Sequence, residues 1–327
     1  MPALKLVFLG SDPIALPLLE WLEGDGCNVA QVCAVFTQPD RPVGRGQKIT
    51  PNAIKQWAQA RNIPVYQPEK LRAEALDELR GLNADVSLVM AYGHILRQEF
   101  IDAPRLGTLN LHASLLPKYR GASPIQSAVA MAETETGVSL MRIVRELDAG
   151  PVADVETVPI TQTDTALEIE SKLATACVPL LARNLPALAE GRSVFHEQEH
   201  TSATFCRRLT KADGVLDFTH PAKALAARIN GLFPWPACIA EIGGQPIKFG
   251  LADAIEGESE PGVIIGGSDD GLLIGTGQEI LRVKRMQRAG GRMLPAGEFL
   301  RGVTLAPGTR IQSQPMPDLV ASHPFRG

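Results

Sequence analysis

No apolar stretch in this chain approaches the roughly 18 residues a membrane-crossing helix requires, so no membrane partner is expected. The short apolar stretch from Met1 to Ser11 has no adjoining cleavage-site pattern and reads as a first strand, Leu4 to Leu9, not a signal peptide. Cysteine is scarce. The five residues (Cys27, Cys33, Cys177, Cys206 and Cys238) form no C-x-x-C pair and leave an odd one over. Reduced thiols and a cytoplasmic setting are the simplest reading. An excess of positive charge is also missing. With 32 Lys and Arg against 36 Asp and Glu, the net charge of −4 argues against indiscriminate nucleic-acid binding. A local basic face remains open, because a partner feels the field near the contact. The turn after the first strand, Gly10-Ser11-Asp12-Pro13, lacks a G-x-G-x-x-G and argues against a nicotinamide cofactor.

The 327 residues suffice for two domains, each with its own core. Strand and helix signals alternate through the first part of the chain. Strands are expected at Leu4–Leu9, Val29–Val35, Asp85–Met90, Thr108–His112, Gly137–Ile143 and Pro151–Val158. Between them, helices are expected from Pro13 to Glu23, from a Thr50-Pro51 cap to Arg61, over Leu71–Arg80 and Pro124–Met131, and from a Thr163-Asp164 cap to Leu188. This alternation predicts an α/β fold with a Rossmann-like, mostly parallel sheet over residues 1–190. Residues 191–206 are polar and lack clear periodicity, as a linker would. After a helix at Pro221–Asn230, short strand candidates follow at Cys238–Ile242, Pro246–Leu251, Gly262–Ile265, Gly271–Gly275 and Ile280–Val283. Strands at this spacing predict a small OB-like β-barrel over 207–311. The proline-bearing tail, 312–327, is expected to be disordered.

The strand candidate ending at His112 carries the chemistry. Alternation sets Leu109 and Leu111 on one face and Asn110 and His112 on the other, so an amide donor and an imidazole point the same way. The strand runs into Ala113-Ser114-Leu115-Leu116-Pro117, a polar turn where an α/β sheet commonly opens its ligand crevice. With a later carboxylate at Asp148, the three residue types suit acyl-type transfer. Asn offers an N–H to an oxyanion, His a proton or a positive charge, and Asp an orienting or proton-accepting group. Alone, an Asn-x-His at a strand end is usually structural or incidental.

Asn110-x-His112, Ser114-Leu115-Leu116-Pro117 with Arg120-Gly121, and Asp148-x-Gly150 together resemble the signature of the folate-dependent formyltransferases. The resemblance implies Asn110, His112 and Asp148 as catalytic residues and 10-formyltetrahydrofolate as formyl donor, with no metal. It also implies folate contacts from Ser114, Leu115, Leu116 and Pro117, and a pterin pocket at Tyr92, Gly93, Ile95 and Leu96. The string Phe36-Thr37-Gln38-Pro39-Asp40-Arg41-Pro42-Val43-Gly44-Arg45-Gly46 is similar to the inserted loop of the family branch that formylates methionyl initiator tRNA. The likeness extends to Lys118–Gln126 and to Phe233-Pro234-Trp235-Pro236 in the second half.

That branch implies tRNA contacts from Arg41 and Arg45, and from Lys118 and Arg120 beside the active site. The run Arg282-Val283-Lys284-Arg285-Met286-Gln287-Arg288 contains no acid, and Lys284, Arg285 and Arg288 are candidates for a positive channel. A solvated hairpin face is its plainer reading. A monomer is expected. The alternative is a related enzyme acting on a small amine, such as an amino-sugar nucleotide or glycinamide ribonucleotide. A catalytically idle tRNA- or folate-binding protein is a further one, against which the retained Asn-His-Asp set counts.

The chain departs from the family pattern at Ile14, Ala113, Ala149 and Arg97, none of which removes a catalytic group. His196-Glu197-Gln198-Glu199-His200 matches H-E-x-x-H, the helical metal-ligand spacing of a zincin. It lies in the polar linker, without the apolar period of a buried helix, and zinc is not expected. His94 and His220 read as local hydrogen-bonding residues.

Overall fold

A computed structural model of the protein describes residues 2–43 and 46–325. In chain order the strands are β1 (Leu4–Gly10), β2 (Ala30–Phe36), β3 (Arg41–Val43), β4 (Lys48–Thr50), β5 (Val65–Tyr66), β6 (Val86–Met90), β7 (Thr108–His112), β8 (Arg120–Gly121), β9 (Glu135–Arg142) and β10 (Val152–Pro159). They continue as β11 (Phe205–Cys206), β12 (Cys238–Ile242), β13 (Gln245–Ile255), β14 (Ile264–Ser268), β15 (Gly271–Gly275), β16 (Ile280–Arg288), β17 (Leu294–Pro295) and β18 (Val320–Ala321). The α-helices are α1 (Leu16–Glu23), α2 (Ala53–Gln59), α3 (Ala73–Gly81), α4 (Gln98–Ile101), α5 (Pro124–Ala130), α6 (Ala166–Ala189), α7 (Ala222–Leu232) and α8 (Ala296–Gly302).

The chain divides into two compact units. The first comprises the residues up to Pro117 with Gly137–Val158 and Ser171–Ser202. It is built on a seven-stranded sheet of order β10-β9-β7-β6-β1-β2-β5. From β7 to β5 the pairings are parallel, and β9 runs antiparallel to β7. β6 is buried along its whole length, as a strand covered on both faces must be. The chain winds from β1 to β2 and β5 on one side, then returns to β6 on the other, which opens a crevice at the carboxyl ends of β1 and β6. A core of Val7, Leu9, Phe36, Leu79, Val89 and Phe100 backs the sheet.

Two helix starts differ from expectation. Thr50 is drawn into a β3–β4 hairpin opposite Arg41, so α2 is capped instead by Asn52, whose side chain accepts the Lys55 N–H at 2.9 Å. At α6 the Asp164 carboxylate accepts the Thr161 N–H at 2.7 Å, and the Glu168 carboxylate takes the Thr165 N–H at 2.8 Å. The helix therefore starts at Ala166.

The second unit holds Lys118–Thr136, Pro159–Glu170 and the chain from Ala203 onwards. Its antiparallel sheet runs β12-β13-β16-β15-β14, with β17 on β16, and forms the small barrel-like domain. Helix α7 lies against it, burying Leu225, Ile229 and Leu232 among Phe249, Leu281 and Val283. By compactness, 118–136 and 159–170 group with the later chain. β8 pairs with β11, and Gly231 of α7 lies so close to Ala130 and Gln126 of α5 that a side chain would not fit. Pairings between distant segments leave no periodic signal in either segment.

The tail also differs from expectation. β18 pairs with β11, Leu319 is buried, and the Gln314 N–H donates to the Leu216 carbonyl at 2.9 Å. Apolar burial and backbone pairing order what its prolines suggested would be loose.

Candidate active site

β7 delivers the first two functional groups. Asn110 and His112 share the sheet face opposite Leu109 and Leu111, and both leucines are fully buried. Asn110 is half-buried, and its carboxamide holds no hydrogen bond to another described residue. His112 sits opposite Ser139 of β9. The Ser139 hydroxyl donates to the Ser114 carbonyl at 2.7 Å and accepts the Leu116 N–H at 3.1 Å. One buried side chain thereby shapes the turn 113–117 that follows the strand. Within that turn Ser114 is fully buried, while Leu115, Leu116 and Pro117 are half-buried.

Asp148 comes from the turn between β9 and β10. Its Oδ2 lies 3.7 Å from His112 Nδ1, a distance at which a carboxylate pairs with an imidazolium and orients the ring. Asp148 holds φ at +46°, left-handed backbone that Asp tolerates better than most residues. Strain there is of the order of 1 kcal/mol or more and persists only where the surroundings enforce it. Two features do so. Gly150 sits against the Arg142 carbonyl with no room for a Cβ. The buried Gln198 carboxamide donates to the Asp148 carbonyl at 2.8 Å and to the Gly150 carbonyl at 2.7 Å.

The loops after β1, β2 and β6 meet at the crevice. The Ser11 hydroxyl accepts the Gln38 N–H at 3.0 Å, and Gln38 Nε2 donates to the Tyr92 carbonyl at 3.1 Å. Tyr92 does not present its phenol to a ligand. The ring belongs to the core beside Phe100, and burial pushes the hydroxyl's pKa well above its ordinary value. Gly93 takes φ of +79°, which the tight turn requires. Ile95 is 95% exposed, while Leu96 packs on the core. His94 stacks edge-on to Tyr92 at 5.1 Å. Burial lowers its pKa against the opposing effect of a hydrogen bond that the ring donates to the Pro68 carbonyl, and nearby Arg41 lowers it further.

The basic candidates separate into distinct environments. Arg41 is exposed, with a guanidinium nitrogen 3.4 Å from Gln38 Oε1, and Arg45 lies outside the described residues. In the second unit, Lys118 is exposed and pairs with Glu133 at 3.3 Å. Arg120 is buried, its guanidinium 5.8 Å from the Phe205 ring centre, so it does not lie on an open phosphate-binding surface as expected. Pairing of β8 with β11 draws it inward. Lys284 and Arg282 both converge on Asp253, at 3.4 and 2.7 Å, which offsets part of the positive charge on β16. Arg285 and Arg288 remain exposed.

The H-E-x-x-H match does not form one helix face. His196 exchanges backbone hydrogen bonds with Val152 at 2.8 and 2.9 Å, and His200 opens a short 3-10 turn. No group of three potential metal ligands occurs among the described residues. Sequence reasoning missed Ser139 and Gln198, whose partners lie on other segments.

The family model for the formyl transferase domain matches residues 4–185, and that for the formyl transferase C-terminal domain matches 208–304. A methionyl-tRNA formyltransferase from Chromobacterium violaceum is 40% identical over 310 residues, 94% of this chain and 99% of that protein. One from Pseudomonas fluorescens is 42% identical over 292 residues, 89% of this chain and 91% of that protein. Among solved structures, an N-formyltransferase from Helicobacter canadensis in complex with folinic acid and dTDP-3-aminofucose aligns with a TM-score of 0.64 at 18% identity. It covers 86% of this chain and 99% of that one. Both domain models match in order, and two-fifths of residues are shared along almost the whole chain, so the protein belongs to the formyl transferase family, alongside its methionyl-tRNA formyltransferases.

Proposed function

We propose that the chain transfers a formyl group from 10-formyltetrahydrofolate to the α-amine of methionyl initiator tRNA. The observation that carries this reading is the His112–Asp148 pair at 3.7 Å, with Asn110 on the same strand face at the sheet's carboxyl edge. The near full-length relatives named methionyl-tRNA formyltransferases support the acceptor, and the neighbour bound to folinic acid supports a folate-type donor.

The donor supplies a formyl carbon bonded to N10. A free α-amine titrates near about 7.7–8.0, so a useful neutral fraction exists at physiological pH without a dedicated strong base. As the amine nitrogen bonds to the formyl carbon, negative charge develops on the formyl oxygen. Asn110 Nδ2–H and the His112 ring are the donors assigned to that charge, and each such donor is typically worth about 2.7–4 kcal/mol in the transition state. Asp148 holds the His112 ring and takes the proton that the amine loses. That proton goes to N10 as the carbon–nitrogen bond breaks, which balances the exchange. Ile95, exposed beside the crevice loops, offers an apolar surface to a flat heterocycle, with backbone groups of Gly93 and Leu96 on the same turn. The exposed Arg41 on the β3–β4 hairpin, with Arg45, is the loop's contribution to the tRNA backbone, and Lys118, Arg285 and Arg288 are the second unit's.

Formyl transfer from 10-formyltetrahydrofolate is measured with charged initiator tRNA, charged elongator tRNA and glycinamide ribonucleotide as parallel acceptors. Rapid formylation selective for the initiator is expected. Turnover of the small amine with silence on both tRNAs would move the protein to the small-amine branch of the family.

A further inference from the structure

We propose that Gln198 is a positioning residue for formyl transfer, acting through the turn that carries Asp148. The inference rests on the reading of Asp148 as a catalytic group.

The segment 195–198 does not behave as a loose linker. Phe195 lies under the Arg142 guanidinium at 4.3 Å, and the same Arg142 donates to the Leu106 carbonyl at 3.1 Å, just before β7. His196 forms an antiparallel bridge with Val152, the residue that opens β10. Gln198 then reaches back with both hydrogens of one amide nitrogen, to the carbonyls of Asp148 and Gly150. A single buried donor group thus spans the two ends of the Asp148-Ala149-Gly150 turn.

The physical need for such a clamp follows from the backbone. Asp148 sits at φ +46°, a conformation an L-residue leaves when it is free to do so. Peptide rotation at this position would swing the carboxylate away from His112, where it now stands 3.7 Å from Nδ1. The two carbonyls Gln198 holds are those whose orientation sets the turn. An apolar residue in its place would leave both without their donor in a buried setting, and they would turn to find water. A displacement of an ångström in a reacting group lowers rate far more than it lowers affinity. The two Gln198 Nε2 hydrogen bonds go to backbone carbonyls of the Asp148 turn, so their loss should act on turnover.

Gln198→Met keeps the approximate length of the side chain and removes its carboxamide, the Nε2 donor included. It is compared with Gln198→Glu, which sets a carboxylate against the two carbonyls, and with Asp148→Ala. Turnover, KM for both substrates and the thermal midpoint are measured on the full chain. Gln198→Met is expected to lower kcat roughly 10- to 100-fold with both KM values within about twofold of the parent. Gln198→Glu is expected to fall at least as far. Either variant turning over at the parental rate, or losing rate only in proportion to the fraction unfolded, would overturn the inference while leaving Asp148 in place. Asp148→Ala at the parental rate would instead remove the catalytic reading, and the positioning role with it.

Discussion

Gly150 lies against the carbonyl oxygen of Arg142, in a gap too small for any side-chain carbon. This contact seats the Asp148 turn directly on β9, beside the strand that carries Asn110 and His112. Gly150→Ala forces either the turn or β9 to move. We expect kcat to fall by about 100-fold, because a shift of an ångström at the carboxylate suffices for that loss. Steady-state kinetics on the folded variant check it; a parental kcat would mean the turn tolerates the displacement.

Asn110→Ala removes one donor from the developing oxyanion without touching the His112–Asp148 pair. The expected loss is about 2.7–4 kcal/mol in transition-state stabilisation, seen in kcat with KM for both substrates little changed. A loss confined to KM would assign Asn110 to substrate binding instead.

Arg41 stands exposed on the β3–β4 hairpin. Arg41→Ala should raise KM for charged tRNA and reduce the magnitude of the log–log salt slope by about 1, leaving folate affinity intact. Filter binding of tRNA across a salt series and fluorescence titration of folate separate the two. Equal loss of both would refute a tRNA-specific role.

Asp213 makes acid stability testable. Burial pushes its carboxyl up, but the Arg207 guanidinium and the Thr210 backbone N–H outweigh burial and hold it below the usual carboxylate range. A carboxyl lowered in the folded state contributes stability above its unfolded pKa of about 3.9, and that contribution fades as pH falls through the folded value. Asp213→Asn should therefore destabilise by about 3 kcal/mol at pH 7, with the gap to the parent closing below about pH 4. Urea unfolding at a series of pH values gives both numbers.

Leu319 is only 3% exposed, and Arg228 Nη2 donates to the Pro317 carbonyl at 3.1 Å, so the last residues stabilise the second unit. Leu319→Ala should lower stability by about 2–3 kcal/mol without changing transfer kinetics. Calorimetry resolves a shift of that size, and an unchanged midpoint would show the tail contributes nothing.

Much of this protein was written in local pattern. The period-two alternation of Leu109 and Leu111 with Asn110 and His112 set β7 at Thr108–His112, because a pleated strand leaves only one way to sort apolar from polar groups. Continuous apolar runs marked the covered parallel strands β1 and β6, and β12 and β15 match the expected spans end to end. Such signals survive in the sequence because the forces behind them act between residues a few positions apart. Tertiary structure decided the rest. The approach of Asp148 to His112, the clamp from Gln198, the burial of Arg120, the grouping of 118–136 with the later chain and the ordered tail all join distant segments. A hydrogen bond or close contact between such segments constrains one residue on each side, and one residue has no period to read. The H-E-x-x-H string is set aside on sequence because its neighbours lack a helical apolar period, but only the tertiary structure shows what holds its start extended, the backbone bridge to Val152 and the hydrogen bonds to the Asp148 turn.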